Sequence, residues 1–586
     1  MKLTRRDLLR RLGGVSIIAG MTGAVRSLYT QASRDNGATV LGSQITARRN
    51  GPPLTPPGLE DHAHGATSTT ASASTTGSST TSTPGGADSS TTATSESSDT
   101  TTTSTSSGQE PSTTGTTTQP AAASMELKGS IGPLTIPPGT VAKIVGDVTL
   151  TGDLMVEGTL TGIDTFTLDG GGHQIMVHGG GRLQLVGKAK TGWARVGDSV
   201  SGWANGDVVA IAPTAIGAYQ PSEGKWGGGW GSIKAPAGVK LIDGRVLQAE
   251  VANLTRSINI KNLSRIMLHE GAGPSVLRYI RLDGCGGGEL GFYPIHFHLN
   301  GNSVRGSLVE GVVVMNSPNR AFVPHGSHGV KFRDCVAYRI TKRAYWWDEG
   351  PGNQSADIRY EKCLAILIFR GSSGEEKNRL AGFQLGGATG SAAIDCAAVC
   401  VQGQSDSGGF WWPGGEGDSI QAWDFRRNVS HNNQGHGYIV WQNTNNKHFL
   451  EASVAYRNAR GGIHHGAYRN PYRYSNMVLQ ENQGGQAVLL HANAKDSGLL
   501  FENIATDGIL WIDKHNLPPQ GSNIHRRVTY QRVVYDETGE FPSFQVFEDT
   551  GLAVDQFDLS RIHPDSTIDI FEGGKLVAHW EKGSWA

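Results

Sequence analysis

The stretch Tyr293-Pro294-Ile295-His296-Phe297-His298-Leu299 recurs in altered form as Arg320-Ala321-Phe322-Val323-Pro324-His325-Gly326 and as Arg343-Ala344-Tyr345-Trp346-Trp347-Asp348-Glu349-Gly350. In an extended strand successive side chains alternate between faces, so Ile295, Phe297 and Leu299 point one way and His296 and His298 the other. One face can pack while the other carries imidazoles. His325 and Asp348 stand at corresponding points 23 residues apart, a spacing that points to one turn of a coil per repeat.

Outward from these segments the period persists. Val313-Val314-Met315-Asn316, Val336-Ala337-Tyr338-Arg339, Val429-Ser430-His431-Asn432-Asn433, Val454-Ala455-Tyr456-Arg457-Asn458 and Val478-Leu479-Gln480-Glu481-Asn482 recur at intervals of which several are 23 to 25 residues. Each unit reads as a short strand, a polar Asn/Gly turn and a second short strand. The expected fold is all-β: a right-handed parallel β-helix over 251–540, with rungs stacked at roughly 4.8 Å. The repeated Asn reads as a turn-stabilising ladder rather than as catalytic. Between Gly350 and Asp424 the period blurs, and the segments from Gly371 to Lys377 and from Gly408 to Gly415 read as loops leaving the rungs, favoured places for binding. From Phe541 onward, runs such as Thr567-Ile568-Asp569-Ile570-Phe571 and Leu576-Val577-Ala578-His579-Trp580 predict a β-rich cap over 541–586 that covers an open last rung.

A chain of 586 residues is too long for one compact core. The 81 glycines, with short Val- and Ile-rich runs between them, fit many brief strands joined by turns. A formal net charge of −1 with 18% charged residues points to no nucleic-acid or membrane partner. Cys285, Cys335, Cys363, Cys396 and Cys400 are too few and too irregular for a disulfide framework; they are expected to pack as small apolar residues, with one bridge conceivable between Cys396 and Cys400. Thr4-Arg5-Arg6-Asp7-Leu8-Leu9-Arg10 and the apolar run behind it read as a twin-arginine-type export signal over 1–33, which places the mature protein outside the cytoplasm or at the cell surface. No later segment approaches the roughly 18 unbroken apolar residues of a membrane span. Residues 34–124 are rich in Ser and Thr and lack apolar periodicity. Such a segment cannot bury enough surface to offset its ordering entropy, so it is expected to be a disordered stalk, open to O-linked sugars, that holds the folded part off a cell envelope.

Residues 125–250 read as a first β unit of stacked short strands, as in Thr149-Leu150-Thr151-Gly152-Asp153-Leu154-Met155-Val156-Glu157-Gly158. Leu134-Thr135-Ile136-Pro137-Pro138-Gly139-Thr140, the segment from Trp203 through Gly206-Asp207 to Ala212-Pro213-Thr214, the stretch Glu250 to Arg256 and the later Tyr293-Pro294-Ile295-His296-Phe297-His298 follow one another in order. Together they resemble the G8-domain family that includes the cell-migration-inducing hyaluronan-binding protein and transmembrane hyaluronidase. The resemblance covers Gly129 to Gly350 and, more loosely, the repeats to Asn516; Phe292 stands where the family pattern often has a basic residue. It implies a G8-like domain over 125–250, a hyaluronan-like substrate and glycosidic hydrolysis.

In the expected register His298, His325 and Asp348 occupy three successive rungs, flanked by His296 and Glu349, while His464, His465 and His491 hold similar places in their own repeats. Three readings compete. His296, His298, His325 and Asp348 form a common first-row metal set, with calcium or zinc as the divalent cation. Alternatively His298, His325, Asp348 and Glu349 act as acid/base pairs on a glycosidic bond. The plainest reading has the imidazoles bonding to neighbouring turns. Trp346, Trp347, Trp411, Trp412 and Trp441 are candidate sugar platforms. Lys331, Arg333, Arg339, Lys342 and Arg343 form a local basic set that would attract an anionic polysaccharide if they share a face. The favoured function is an exported enzyme that degrades such a polysaccharide, by hydrolysis with Asp348 and Glu349 as its best carboxylates or by elimination. A stalked surface glycan-binding protein or adhesin is the alternative.

Overall fold

A computed structural model describes residues 123–346, 355–371, 379–385, 390–403, 407–411, 424–440, 448–465, 472–482 and shorter stretches between 486 and 585. The export signal, almost all of the stalk, the loops at 372–377 and 412–415, and the residues Trp347, Asp348, Glu349, Trp412, Trp441 and His491 lie outside the described residues.

The period produces a parallel β-helix with three strand columns. The first contains Val276–Arg278, Leu308–Glu310, Lys331–Arg333, Arg359–Glu361, Ala392–Ile394 and Asp424–Arg426, each paired in parallel with the next. The second runs Ile280–Asp283, Val313–Met315, Val336–Thr341, Leu364–Phe369, Ala397–Val401, Val429–His431 and Val454–Tyr456. The third runs Arg265–Leu268, Ile295–Gly301, Phe322–Ser327, Arg343–Trp346, Ala381–Gln384, Gly408–Trp411, His436–Val440 and Ile463–His465.

Between the first and second columns the chain turns on one residue with positive φ: Tyr279, Gly311, Asp334, Lys362, Asp395, Arg427 and Ala452 in successive rungs. A left-handed residue with a Cβ costs about 1–2 kcal/mol. Each corner keeps its backbone bonded to the rung above, as in Asp334 N to Glu361 O at 2.9 Å and Lys362 N to Ile394 O at 2.9 Å.

Inside the coil, identical positions stack. Phe322, Tyr345, Phe383 and Phe410 lie ring on ring, with centroids 4.8, 4.4 and 4.7 Å apart and planes within 6°. Such pairs add about 0.5–1.5 kcal/mol each beyond their buried area. The repeated Asn is the expected ladder: the Asn433 amide donates to Asn458 Oδ1 at 2.9 Å, and Asn458 to Asn482 Oδ1 at 2.9 Å. All five cysteines are buried and unbridged, Cys396 and Cys400 included. Burial pushes the Cys285 thiol up to about 12.

The coil is continuous across residue 250. Phe166–Asp169 pairs in parallel with Ile258–Lys261, Gln174–Val177 with Arg265–Leu268, and Gln184–Val186 with Val276–Arg278, so 123–187 forms the first rungs. Those pairings join strands some 90 residues apart in sequence, which alternation within one short strand cannot reveal. Residues 188–257 are an excursion, an antiparallel sheet of Trp193–Arg195, Glu250–Asn253, Val208–Ile211 and Ser222–Lys225. Its apolar side, with Trp193, Ala210, Ala252 and Leu254, buries the outer face of the second column at Val313, Val336, Leu364 and Val399. Beyond the coil, Val528–Arg532 pairs in parallel with Thr567–Glu572, which turns antiparallel onto Lys575–Glu581. Among the described residues no helix is long and apolar enough to cross a membrane.

Candidate metal centre

The strand Ile295–Gly301 alternates as its sequence requires. Ile295 and Phe297 enter the apolar core, which leaves His296 and His298 on the outer face of the third column. Parallel pairing sets His298 opposite His325 on the next rung. The His296–His298 and His298–His325 ring centroids are each 4.9 Å apart, and one ring nitrogen from each of the three lies within 4.8 Å of the others. From the preceding rung His269 approaches His298, with centroids 5.2 Å apart. Sequence reasoning missed His269, although it follows the core residue Leu268 as His298 follows Phe297.

His296 is 1% exposed. Its Nδ1 faces the Gly291 carbonyl at 3.2 Å, and its Nε2 is buried with no hydrogen-bond partner among the described residues. A carbonyl only accepts, so Nδ1 carries the proton and Nε2 presents a lone pair. Burial, followed by the neighbouring His298 and His325, holds its pKa well below the usual imidazole range. Burial likewise lowers His269. A buried polar atom left unpaired costs roughly 1–3 kcal/mol, which a bound cation would recover. Two nitrogens on one zinc-like ion lie at most about 4.2 Å apart, so side-chain shifts of under about 1 Å close this set. Calcium prefers six to eight oxygens, and three imidazoles do not supply them.

The other expected site residues are dispersed or covered. Trp346 is 4% exposed, with the Arg320 guanidinium 3.7 Å from its ring centroid and Tyr293 and Val323 packed beside it. Trp411 is 2% exposed between Ala381 and Ile439, with Arg343 and Arg379 5.8 and 5.6 Å from its ring. Neither is an open sugar platform, because large outward rings and their neighbours one rung away cover one another. The basic set does not share a face. Lys331 and Arg333 belong to the first column, where they pair with Glu361 at 3.3 Å and Glu310 at 2.6 Å, and Arg339 belongs to the second. Only Arg343 shares the column of the imidazoles; Arg320, left out of the expected basic set, precedes the strand one rung below it. His464 lies beside His436 with centroids 4.6 Å apart, while His465 bonds Tyr474 Oη at 2.7 Å. They form a separate place on the coil.

Residues 264–380, which include the triad, match the CEMIP beta-helix family. The chain is 24% identical over 189 residues to human cell surface hyaluronidase CEMIP2, covering 26% of this chain and 14% of that protein. It is 26% identical over 219 residues to the human cell migration-inducing and hyaluronan-binding protein, covering 30% of this chain and 15% of the relative. The matched part is thus a small fraction of those relatives' length. A tailspike, gp61 of the Pseudomonas phage phi297, overlaps 66% of this chain and 73% of its own at 8% identity and a TM-score of 0.17, a superposition that carries no argument.

Proposed function

We propose that this protein is an exported, glycan-degrading β-helix protein that acts on an anionic, hyaluronan-like polysaccharide at a divalent-metal centre formed by His296, His298 and His325. The observation that carries the reading is His296, whose buried Nε2 has no hydrogen-bond partner among the described residues and whose ring offers a nitrogen within 4.8 Å of one from each of two further imidazoles. The names of the relatives, a hyaluronidase and a hyaluronan-binding protein, support the substrate class. A cation held there would polarise a substrate oxygen and lower the pKa of a bound water. The protein's own residues do the rest. The Gly291 carbonyl fixes the tautomer of His296, and Arg320 and Arg343 add positive charge that draws a polyanion. His269, half-buried and lowered by burial, is neutral at pH 7 and able to take a proton beside His298. Asp348 and Glu349 are the carboxylates proposed for acid and base roles in hydrolysis. Export by the twin-arginine-type signal and tethering by the Ser/Thr-rich stalk belong to the same proposal.

The test is incubation of the full chain with hyaluronan and chondroitin, before and after chelator treatment and with zinc or copper restored. The expected result is shortened chains with new reducing ends, lost on chelation and in His298→Ala, while that variant keeps its thermal stability. Glycan retained without shortening would make the protein an adhesin. Unsaturated uronates would make it a lyase, and activity indifferent to chelation would remove the metal.

A further inference from the structure

The outer face of the third column does not begin at the histidines. In the three rungs below the triad Met155 pairs with Met176, Met176 with Met267, and Met267 with His296. Their neighbours Leu154, Val156, Ile175, Val177, Ile266 and Leu268 all enter the core, so the methionines stand outward in one row with His296. The second outward position of these rungs holds Glu157 beside Met155 and then His178, His269 and His298, with Glu157 3.7 Å from His178 Nδ1. Successive rungs therefore read Met176-Val177-His178, Met267-Leu268-His269 and His296-Phe297-His298, and the next carries His325. The whole chain has 8 methionines, and three of them fall in this one row. Met155 and Met176 are only partly buried, where a packing role needs no sulfur; Met267 is 5% exposed.

We infer that the ion this face takes is copper, with Met267/His269 and Met176/His178 forming a track of thioether and imidazole donors that leads to the His296, His298 and His325 centre. The inference rests on the metal reading of that centre and names its ion. Zinc and calcium gain little from a thioether, whereas thioethers select Cu(I) and imidazoles take copper in either oxidation state. Equivalent side chains on adjacent parallel strands are separated by about one strand spacing, 4.7–4.9 Å. That is short enough for an ion to pass from one donor pair to the next without release to water. His296 supplies the independent sign of a ligand, since its buried Nε2, at the upper end of the methionine row, has no hydrogen-bond partner among the described residues.

The experiment uses the full chain under anaerobic reducing conditions. Cu(I) affinity is measured by competition with bicinchoninate, Zn(II) affinity by competition with a chromogenic zinc chelator, and the copper environment by X-ray absorption. The variants are the double change Met176→Leu with Met267→Leu, which conserves volume and apolar character, and His298→Ala. Copper–sulfur scattering is expected in the parent protein and lost in the methionine variant. That variant should bind Cu(I) about tenfold more weakly with Zn(II) affinity unchanged. Cu(I) affinity indifferent to the methionines, with no sulfur scattering in the parent, would overturn the copper track while leaving the triad standing if His298→Ala still abolishes zinc binding. Failure of both ions to bind, or binding untouched by His298→Ala, would overturn the metal centre and the track together.

Discussion

His296 on the third column and His431 on the second are both outward-facing residues of parallel strands, both cut off from water, and they differ in every partner. His431 is covered by the excursion. Its Nε2 lies 2.8 Å from Glu250 Oε2 and its Nδ1 2.8 Å from Asn432 Oδ1, while the ring stacks on Tyr456 at 4.4 Å. The Asn432 Nδ2 donates to the carbonyls of Ala215 and Ala218 at 2.7 and 2.8 Å, so its oxygen faces the imidazole. Both ring nitrogens of His431 therefore face an oxygen. Burial alone would raise the Glu250 carboxyl, but His431 and Arg195 beside it pull it down to about 2. His296 has no carboxylate among its described neighbours. Burial and two imidazoles keep it neutral, with one nitrogen bare. Burial does not decide what an imidazole bonds; the group delivered opposite it does. The excursion brings that group to His431 as a carboxylate, and no described carboxylate reaches His296.

The largest expected effect that sharpens this contrast comes from Glu250→Gln, which leaves Arg195 and His431 without their buried carboxylate. Removing one partner of such a pair costs about 3–5 kcal/mol, read from denaturant unfolding, with the metal affinity of the triad unchanged. A loss too small to measure would mean the excursion is held by its apolar contacts alone.

The two sites also separate in pH. The Glu250 carboxyl is depressed from 4.5, so its stabilisation is complete above that value and disappears as pH falls toward about 2. His296 is depressed from 6.5 as a base that folds uncharged, so it costs stability as pH falls below 6.5. Stability measured against pH should thus decline in two steps. His296→Leu should shrink the upper step, to which His269 and His328 also contribute, and Glu250→Gln the lower, to which Asp207 also contributes; a single shared step would break the comparison.

The smallest effect is that of His296→Leu near neutral pH. It loses the bond to Gly291 but also removes an unpaired buried nitrogen, so stability should stay within about 1 kcal/mol of the parent. Isothermal titration should at the same time show metal binding abolished. Retained binding would return His296 to a packing role.

Much of the coil was legible in the chain, because alternation and period are properties of near neighbours. Ile295 and Phe297 in the core, with His296, His298 and His325 outside, follow from strand geometry once the repeat is seen. The Asn ladder was legible for the same reason. The corners were not: Asp334 and Asp395 suit a left-handed turn, but Lys362, Arg427 and Ala452 adopt it against their own preference, held by backbone bonds to the next rung. The openness of Trp346 and Trp411 was equally out of reach, since what covers a ring is decided by its neighbours across rungs.

By itself, then, the sequence determined the winding of the chain and which side of each strand bears chemistry, since both depend on residues one or two positions apart. Only the tertiary structure decided that the excursion folds back onto the second column and that Glu250 meets His431 across 181 residues. Partners at that separation are chosen by where the coil carries them, and no local preference encodes the meeting.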